Sequence, residues 1–311
     1  MVAIARTDLD VFPLCLGGNV FGWTADEPTS RDVLDAFTEA GGDFVDTANS
    51  YLVEHGQSET IIGRWLADRG NRDEIVVATK VGGGRGAVRS LSAATIEQEA
   101  HASLERLRTD RIDLYYAHFD DESTPLEETL RAFDALVRAG SVRYLGASNY
   151  TPDRLTAALR FQRDNGLAEF TVLQPHYNLV ERDFERTLLP VVEEWDLAVA
   201  PYFALAKGFL TGKYRPGADA VESPRAEGAR AYLDRDGEAV LTALDEVAAA
   251  HDTTQAAVAL AWLRARPGVV APIASARGTD QLAQIMPAGT LTLTPAEVDR
   301  LTATTQVASR T

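Results

Sequence analysis

The chain has 311 residues, of which 45% are hydrophobic and 24% are charged, and this composition excludes intrinsic disorder, a collagen repeat and a coiled coil. It contains 30 lysines and arginines and 46 aspartates and glutamates. The resulting formal net charge of −16 would repel nucleic-acid phosphates and an anionic membrane surface. Because α/β barrels commonly reach this length in one domain, we expect residues 1–311 to form a single domain.

The cysteine content and the N-terminus indicate where such a protein works. A single cysteine, Cys15, excludes an internal disulfide framework and a cysteine metal cluster, and it suits a reducing compartment. The apolar runs are too short to span a membrane, and Arg6, Asp8 and Asp10 interrupt any secretory signal. We therefore expect a soluble cytoplasmic protein with no metal, nucleic-acid or membrane partner.

Eight short apolar runs end in a polar or small residue, and a segment with helical periodicity follows each of them. Their length and apolarity predict buried parallel strands at 11–16, 44–46, 75–80, 112–118, 144–148, 171–174, 198–202 and 269–273. Capping residues and glycines delimit the predicted helices at 30–41, 58–70, 92–107, 124–140, 151–166, 184–195, 254–266 and 279–286.

This alternation predicts a (β/α)8 barrel. Successive strand ends are 26 to 38 residues apart, except for a final gap of 71 residues that would hold an inserted loop at 215–237 and an extra helix at 238–251. Residues 1–10 are expected to form a hairpin across the barrel bottom, and a helix that Thr294, Pro295 and Glu297 begin would end the fold.

An open doubly wound sheet is the alternative architecture. Its usual mark is a G-x-G-x-x-G turn after the first strand, and the run from Leu16 to Asn19 lacks this spacing. The glycine-rich run at 82–86 follows the third predicted strand, and its composition is more typical of a flexible loop.

Three ionisable residues end successive predicted strands: Asp46, Lys80 and His118, with Tyr51 five residues after Asp46. Each alone has an ordinary explanation as a turn, loop or hydrogen-bonded residue. Together they favour a site, because buried charges need partners and a barrel brings its strand ends to one face.

The chemistry of this group is proton transfer to an oxygen. A lysine ammonium near Tyr51 would stabilise phenolate and lower the pKa of the tyrosine, and Asp46 would keep Lys80 charged. His118 would orient a carbonyl oxygen. Since the sequence offers no redox metal site and no paired thiols, a cofactor would have to supply the hydride.

Seven motifs resemble, in order and spacing, those of the aldo-keto reductases, which are barrel enzymes that reduce aldehydes and ketones with NADPH. The motifs are FVDTANSY (44–51), GQSE (56–59), ATK (78–80), IDLYYAH (112–118), GASN (146–149), LQPHYN (173–178) and GFLTGKY (208–214). The resemblance implies a bacterial type related to the potassium-channel β-subunit branch. It also implies that Asp46, Tyr51, Lys80 and His118 form the catalytic tetrad, with Tyr51 as the general acid.

The resemblance further implies an NADP(H) site. Ser148, Asn149 and Gln174 would bind the nicotinamide carboxamide, and Tyr202 would stack on the ring. Arg277 would bind the 2′-phosphate, although an ordinary solvated arginine is the alternative there. The full set of implied cofactor residues is Gly18, Asn19, Ser148, Asn149, Gln174, Tyr202, Phe203, Leu205, Lys207, Gly208, Leu210, Lys213, Ser275, Arg277 and Gln281.

The substrate wall departs from the family pattern. Leu52 replaces a frequent glycine, and Phe119 replaces the tryptophan that often follows the histidine. The residues expected at the mouth of an apolar pocket for a small carbonyl substrate are Val20, Phe21, Trp23, Leu52 and Phe119. Two other functions stay open: an NADPH-binding regulatory or sensor protein with little turnover, and an isomerase or lyase on the same fold.

Overall fold

A computed structural model describes residues 1–51, 56–83, 89–215, 223–233 and 237–305. A sheet of eight parallel strands organises these residues, and a two-stranded antiparallel hairpin precedes it. In chain order the strands are β1 (Val2–Ala3), β2 (Asp10–Val11), β3 (Cys15–Gly17), β4 (Phe44–Asp46), β5 (Val76–Val81), β6 (Ile112–Ala117), β7 (Val142–Ser148), β8 (Phe170–Gln174), β9 (Ala198–Val199) and β10 (Ile273–Ala274).

The sheet closes on itself. Strands β3 to β9 pair with their neighbours in chain order, and β10 returns to pair with β3. The segment just before β10 bonds to β9 and so closes the ring: the Val199 N–H donates to Gly268 O, and the Val270 N–H donates to Val199 O. The structure therefore confirms the (β/α)8 barrel and excludes the open doubly wound sheet.

Helices on the outside of the barrel connect the strands. Those in the described residues are α1 (Glu27–Glu39), α2 (Gln57–Arg69), α3 (Ala93–Leu107), α4 (Leu126–Arg138), α5 (Pro152–Asp164), α6 (Asp183–Thr187), α7 (Leu189–Trp195), α8 (Ala226–Arg230), α9 (Glu238–Ala250), α10 (Gln255–Arg264), α11 (Thr279–Ile285) and α12 (Pro295–Thr302). The hydroxyls of Ser92, Thr151 and Thr254 accept the N-cap hydrogen bonds expected of them, and Thr294 and Glu297 form a capping box. None of the helices in these ranges combines the length and the apolarity needed to cross a bilayer.

Two apolar cores flank the sheet. The larger lies between the strands and the helices, and the smaller fills the barrel interior. Ile4, Leu9 and Val11 of the N-terminal hairpin pack onto the interior cluster, whose members include Phe44 and Ala78. The hairpin therefore covers the barrel bottom as predicted.

Several predicted boundaries are wrong. The predicted first strand at 11–16 divides at Pro13, which has no N–H, so that Val11 pairs in the hairpin and Cys15 begins the barrel. The predicted helix at 184–195 is two helices that meet at Leu188, and Pro190 lies in the first turn of the second, Leu189–Trp195. The first barrel helix begins before Ser30, because the Asp26 carboxylate accepts from the Thr29 N–H and caps it.

Candidate active site

The side chains that point into the barrel alternate along each strand, and this alternation builds the site. Phe44 and Ala78 belong to the interior core, and the residues two positions later are Asp46 and Lys80. In β6 and its continuation, His118 follows Tyr116 in the same way. The interior is thus apolar below, and its ionisable groups lie at the carboxyl ends of the strands.

Lys80 is the centre of the hydrogen-bond network. It is 0% exposed, and its Nζ donates to Asp46 Oδ2 at 2.6 Å, to Thr47 O at 2.6 Å and to Tyr51 OH at 3.1 Å. Burial lowers the pKa of Lys80, but Asp46 and Tyr51 outweigh it, and the pKa is raised overall. Lys80 therefore stays an ammonium whose three protons are all directed at oxygen atoms.

Tyr51 lies beside this ammonium. Because Lys80 can only donate, the Tyr51 oxygen accepts, and its own proton is left for another acceptor. The predicted direction of its pKa shift is wrong: burial raises the pKa of Tyr51 above its usual 10 by more than Lys80 lowers it. Tyr51 is therefore a phenol at neutral pH, with Lys80 placed to stabilise phenolate after proton transfer.

His118 faces Tyr51 across the site. The two ring centroids are 6.1 Å apart with the planes at 81°. Burial, with Lys80 and Arg89 as further causes, lowers the pKa of His118 to about 3. His118 is therefore a neutral imidazole that can donate one hydrogen bond to an oxygen.

A chain of hydrogen bonds continues from Asp46 around the mouth of the barrel. Gln174 Nε2 donates to Asp46 Oδ1 at 2.9 Å, and Ser148 Oγ donates to Gln174 O at 2.8 Å. Asn149, in the left-handed region with φ 57°, donates to Ser148 Oγ and accepts from Tyr202 OH at 2.8 Å. Asp46, Tyr51 and Lys80 and the predicted carboxamide-binding residues thus form one connected network, which the backbone O of His118 joins by accepting from Asn149 Nδ2 at 2.8 Å.

A cavity of about 670 Å³ opens above this network and brings most of the predicted residues together. The predicted site residues that line it are Asn19, Val20, Trp23, Asp46, Tyr51, His118, Phe119, Ser148, Asn149, Gln174, Tyr202, Phe203, Leu205, Lys207, Gly208, Lys213, Ser275, Arg277 and Gln281. Lys80 lies beneath its floor.

Besides Lys80, three predicted residues within the described ranges do not line the cavity wall: Gly18, Phe21 and Leu210. Gly18 lies behind it, where a Cβ would come within 2.8 Å of Ser58 Oγ. The side chains of Leu210 and Phe21 are fully buried in the core, so the expectation that Phe21 lies at the mouth is wrong. Leu52 falls outside the described residues.

Four half-buried cations line one end of the cavity, Lys207, Lys213, Arg225 and Arg277, and Arg225 is also close enough to Tyr51 to interact with it electrostatically. Within the described ranges none of them forms an ion pair with a carboxylate. Burial, together with Arg277 and Arg225, lowers the pKa of Lys213. This end of the cavity is suited to an anion with several negative charges.

Arg225 is the main functional candidate that the sequence did not reveal. It lies just before α8, in the segment expected to be an inserted loop, and its guanidinium is 5.8 Å from the Trp23 ring centroid. Thr24, Thr211 and Gln284 also line the cavity without having been predicted. The signal available for Arg225 was its positive charge and its place in the chain between two segments, 203–213 and 275–281, that were both expected at the cofactor site. The direction of its side chain could not be predicted, because loop residues have no periodicity that fixes it.

The barrel carries its ionisable network at the carboxyl ends of the strands, where enzymes of this fold have their active sites. The model of the aldo/keto reductase family matches residues 13–306. The chain belongs to this family.

Fungal reductases are among its relatives. It is 34% identical to a norsolorinic acid reductase of Aspergillus flavus over 304 residues, which is 93% of this chain and 76% of the relative. An aldo-keto reductase of Emericella nidulans is 35% identical, with 94% and 77% covered, and an aryl-alcohol dehydrogenase of Pestalotiopsis microspora is 32% identical, with 94% and 78% covered. The bacterial type and the channel-associated branch stay predictions.

Proposed function

We propose that this protein reduces an aldehyde or ketone to the alcohol with NADPH, and that Tyr51 is the general acid. The observation that carries the proposal is the position of Lys80. It lies under the cavity floor, and its three ammonium protons are donated to Asp46, to the Thr47 backbone oxygen and to Tyr51. Such an ammonium cannot serve as the acid without breaking the network. It is suited to stabilising a phenolate at Tyr51.

The residues present fit NADP(H). Lys207, Lys213, Arg225 and Arg277, which form no ion pair with a carboxylate of the described residues, would hold the phosphates, and Arg277 with Gln281 would receive the 2′-phosphate. The backbone N–H of Arg277 donates to Gln281 Oε1 at 3.1 Å, which fixes this pair before any ligand arrives. When bound, the reduced nicotinamide supplies a hydride to the carbonyl carbon.

The chain's own residues then complete the reduction at the carbonyl oxygen. Tyr51 gives its proton to that oxygen, and the alcohol forms as the phenolate remains next to Lys80. His118, neutral at all physiological pH values, donates a hydrogen bond to the same oxygen and orients it. Solvent returns the proton to Tyr51 through the open cavity.

The substrate wall favours an aromatic carbonyl compound. Trp23 is 40% exposed at the mouth of the cavity and Val20 is buried beside it, while Phe119, whose ring is layered between His118 and Arg89, also lines the cavity. Flat apolar rings bind other rings by stacking. Relatives named for an aryl alcohol and for norsolorinic acid are in keeping with this class.

Turnover of a panel of aromatic and aliphatic aldehydes and ketones, followed as loss of NADPH absorbance, tests the proposal. Oxidation of NADPH that depends on the carbonyl compound is expected, with aromatic members turned over best. Tight NADPH binding without turnover would instead favour the regulatory or sensor function. Conversion of a substrate without any change in NADPH absorbance would favour an isomerase or lyase. The cytoplasmic location and the single domain over residues 1–311 stay predictions.

A further inference from the structure

The imidazole of His118 is held by ring contacts and not by a hydrogen bond at Nδ1. This nitrogen is buried, and it has no hydrogen-bond partner among the residues that the structure describes. A histidine that must present one nitrogen to substrate usually has the other fixed by a hydrogen bond. Something else must therefore set the direction of this ring.

Gly83 packs directly against the Nδ1 edge of the ring. A Cβ built on Gly83 would lie 2.2 Å from His118 Nδ1, and 2.9 Å from two carbons of the same ring. Gly83 is not among the residues with positive φ, so space, and not backbone conformation, requires the glycine. In the described part of the glycine-rich run, Gly83 is thus a position where a side chain would displace the imidazole.

Phe119 and Arg89 cover one face of the ring in layers. The Phe119 ring stacks on His118 with centroids 4.8 Å apart and planes at 27°. The Arg89 guanidinium lies 3.9 Å from the centroid of the Phe119 ring. Arg89 is exposed, and it forms no ion pair with a carboxylate in the described ranges. A cation over a ring face attracts the ring and restricts its rotation.

We propose that Gly83 and Arg89 are positioning residues for His118, Gly83 by the close approach of its backbone and Arg89 through the ring of Phe119. The inference rests on the proposed function, since it concerns the residue that would orient the carbonyl. It also makes Arg89, which does not line the cavity, a determinant of how Phe119 is presented to an aromatic substrate.

The charges around His118 and its burial both keep the imidazole neutral. The charged and titratable groups that face it are Lys80 from β5, Arg89, and Tyr51 from the loop after β4. Both cations oppose protonation of the imidazole, and burial opposes it further. Removal of the Arg89 charge is therefore expected to raise the pKa of His118 toward its usual value.

A double-mutant cycle tests the role of Arg89. With NADPH saturating and a substituted benzaldehyde as substrate, Arg89→Gln is expected to lower kcat/KM between about two- and fivefold, the range expected for one exposed cation–π contact. On a Phe119→Leu background the same change should have no further effect, and Arg89→Lys should restore part of the loss. Arg163→Gln is the matched control, because the Arg163 guanidinium lies 4.1 Å from the Trp195 ring centroid, outside the site. Equal losses in the presence and absence of Phe119 would overturn the proposal.

A second measurement does not depend on turnover. The ring resonances of His118, assigned by their loss in His118→Gln, are recorded by NMR against pH. Gly83→Ala should shift these resonances at neutral pH and lower kcat/KM by more than about tenfold, and Arg89→Gln should raise the pH at which they titrate. Unchanged His118 resonances in both variants would refute the positioning role. If the two variants show these shifts but the parent protein reduces no carbonyl compound, the proposed function fails and the positioning of His118 stands.

Discussion

Gln174 donates a hydrogen bond from Nε2 to Asp46 Oδ1 at 2.9 Å and so joins opposite sides of the barrel. Gln174 ends β8 and Asp46 ends β4, with three strands between them in the sheet. Lys80 occupies the other carboxylate oxygen, at 2.6 Å. The residue expected to bind the nicotinamide carboxamide therefore also holds the carboxylate that anchors Lys80.

Gln174→Leu is expected to lower both NADPH affinity and kcat. The substitution removes a buried donor from a charged acceptor, a contact that contributes about 1.5–3 kcal/mol, and it loosens Asp46 and hence Lys80. Fluorescence titration with NADPH and steady-state kinetics measure the two effects. Gln162→Leu is the control, because Gln162 is equally buried but donates to the backbone oxygen of Ala168. Wild-type kcat in Gln174→Leu would contradict the link.

Tyr51→Phe is expected to abolish nearly all carbonyl reduction while NADPH binding is retained. The variant lacks the proton that Tyr51 transfers, but it keeps the ring and the cofactor contacts. Single-turnover kinetics and a parallel NADPH titration separate the two properties. Lys80→Met should be similarly damaging, since it also leaves Asp46 as a buried carboxylate without its counterion. Full activity in Tyr51→Phe would rule out Tyr51 as the acid.

The clustering of Asp46, Lys80 and His118 was predictable because these residues end neighbouring parallel strands, and a barrel turns such ends toward one axis. The direction of the pKa shift of Tyr51 was not predictable, because it depends on how deeply the folded chain buries the phenol. The Gln174 hydrogen bond to Asp46 likewise requires the closed barrel, which brings β4 and β8 face to face.

Arg225 shows a second reason why part of the site could not be predicted from the sequence. Strand-end residues have a position that periodicity fixes, whereas a loop residue is directed by packing of the whole segment. Short segments near proline were misassigned for a related reason. At Pro13 the apolar pattern continues, but the missing N–H ends one pairing and lets another begin.

Arg277→Ala is expected to narrow the preference for NADPH over NADH by one to two decades in Kd. A charge-assisted contact to the 2′-phosphate contributes about 1.5–3 kcal/mol, and NADH lacks that group. Lys213→Ala provides the contrast, because Lys213 lies in the loop expected over the pyrophosphate, which both cofactors have. It should weaken both to a similar extent. Titration of each variant with both cofactors decides the matter, and a parent protein with equal affinities would refute the assignment of Arg277.

The rate of reduction should vary little between about pH 6 and 9 at saturating NADPH and substrate. Burial raises the pKa of Tyr51 above its usual 10, so the proton donor is lost only as the pH rises beyond this range. Burial lowers the pKa of His118 to about 3, so its ring gains charge only as the pH falls far below the range. Steady-state kcat measured across buffers of constant ionic strength checks this. An ionisation near pH 7 that disappears in His118→Gln would contradict it.

Glu59→Gln is expected to destabilise the fold strongly although Glu59 does not touch the cavity. Its carboxylate is fully buried, accepts from Thr79 Oγ1 at 2.5 Å and pairs with Arg106 Nε at 2.6 Å. Removal of one charge from a fully buried pair costs about 3–5 kcal/mol, and the loss here is expected at or below the lower end of that range, because Arg106 is 19% exposed and keeps Glu99 at 3.8 Å.

Urea unfolding of the Glu59→Gln variant, followed by circular dichroism, measures this loss. Glu246→Gln is the control, since Glu246 and Arg300 form an ion pair in which both side chains are more than half exposed, and its loss should leave the free energy of unfolding nearly unchanged. Thr79 directly precedes Lys80, so kcat is also expected to fall in Glu59→Gln at temperatures where the variant is fully folded. A Glu59→Gln protein as stable as the Glu246→Gln control would show that the buried pair does not hold α2 and α3 against the barrel.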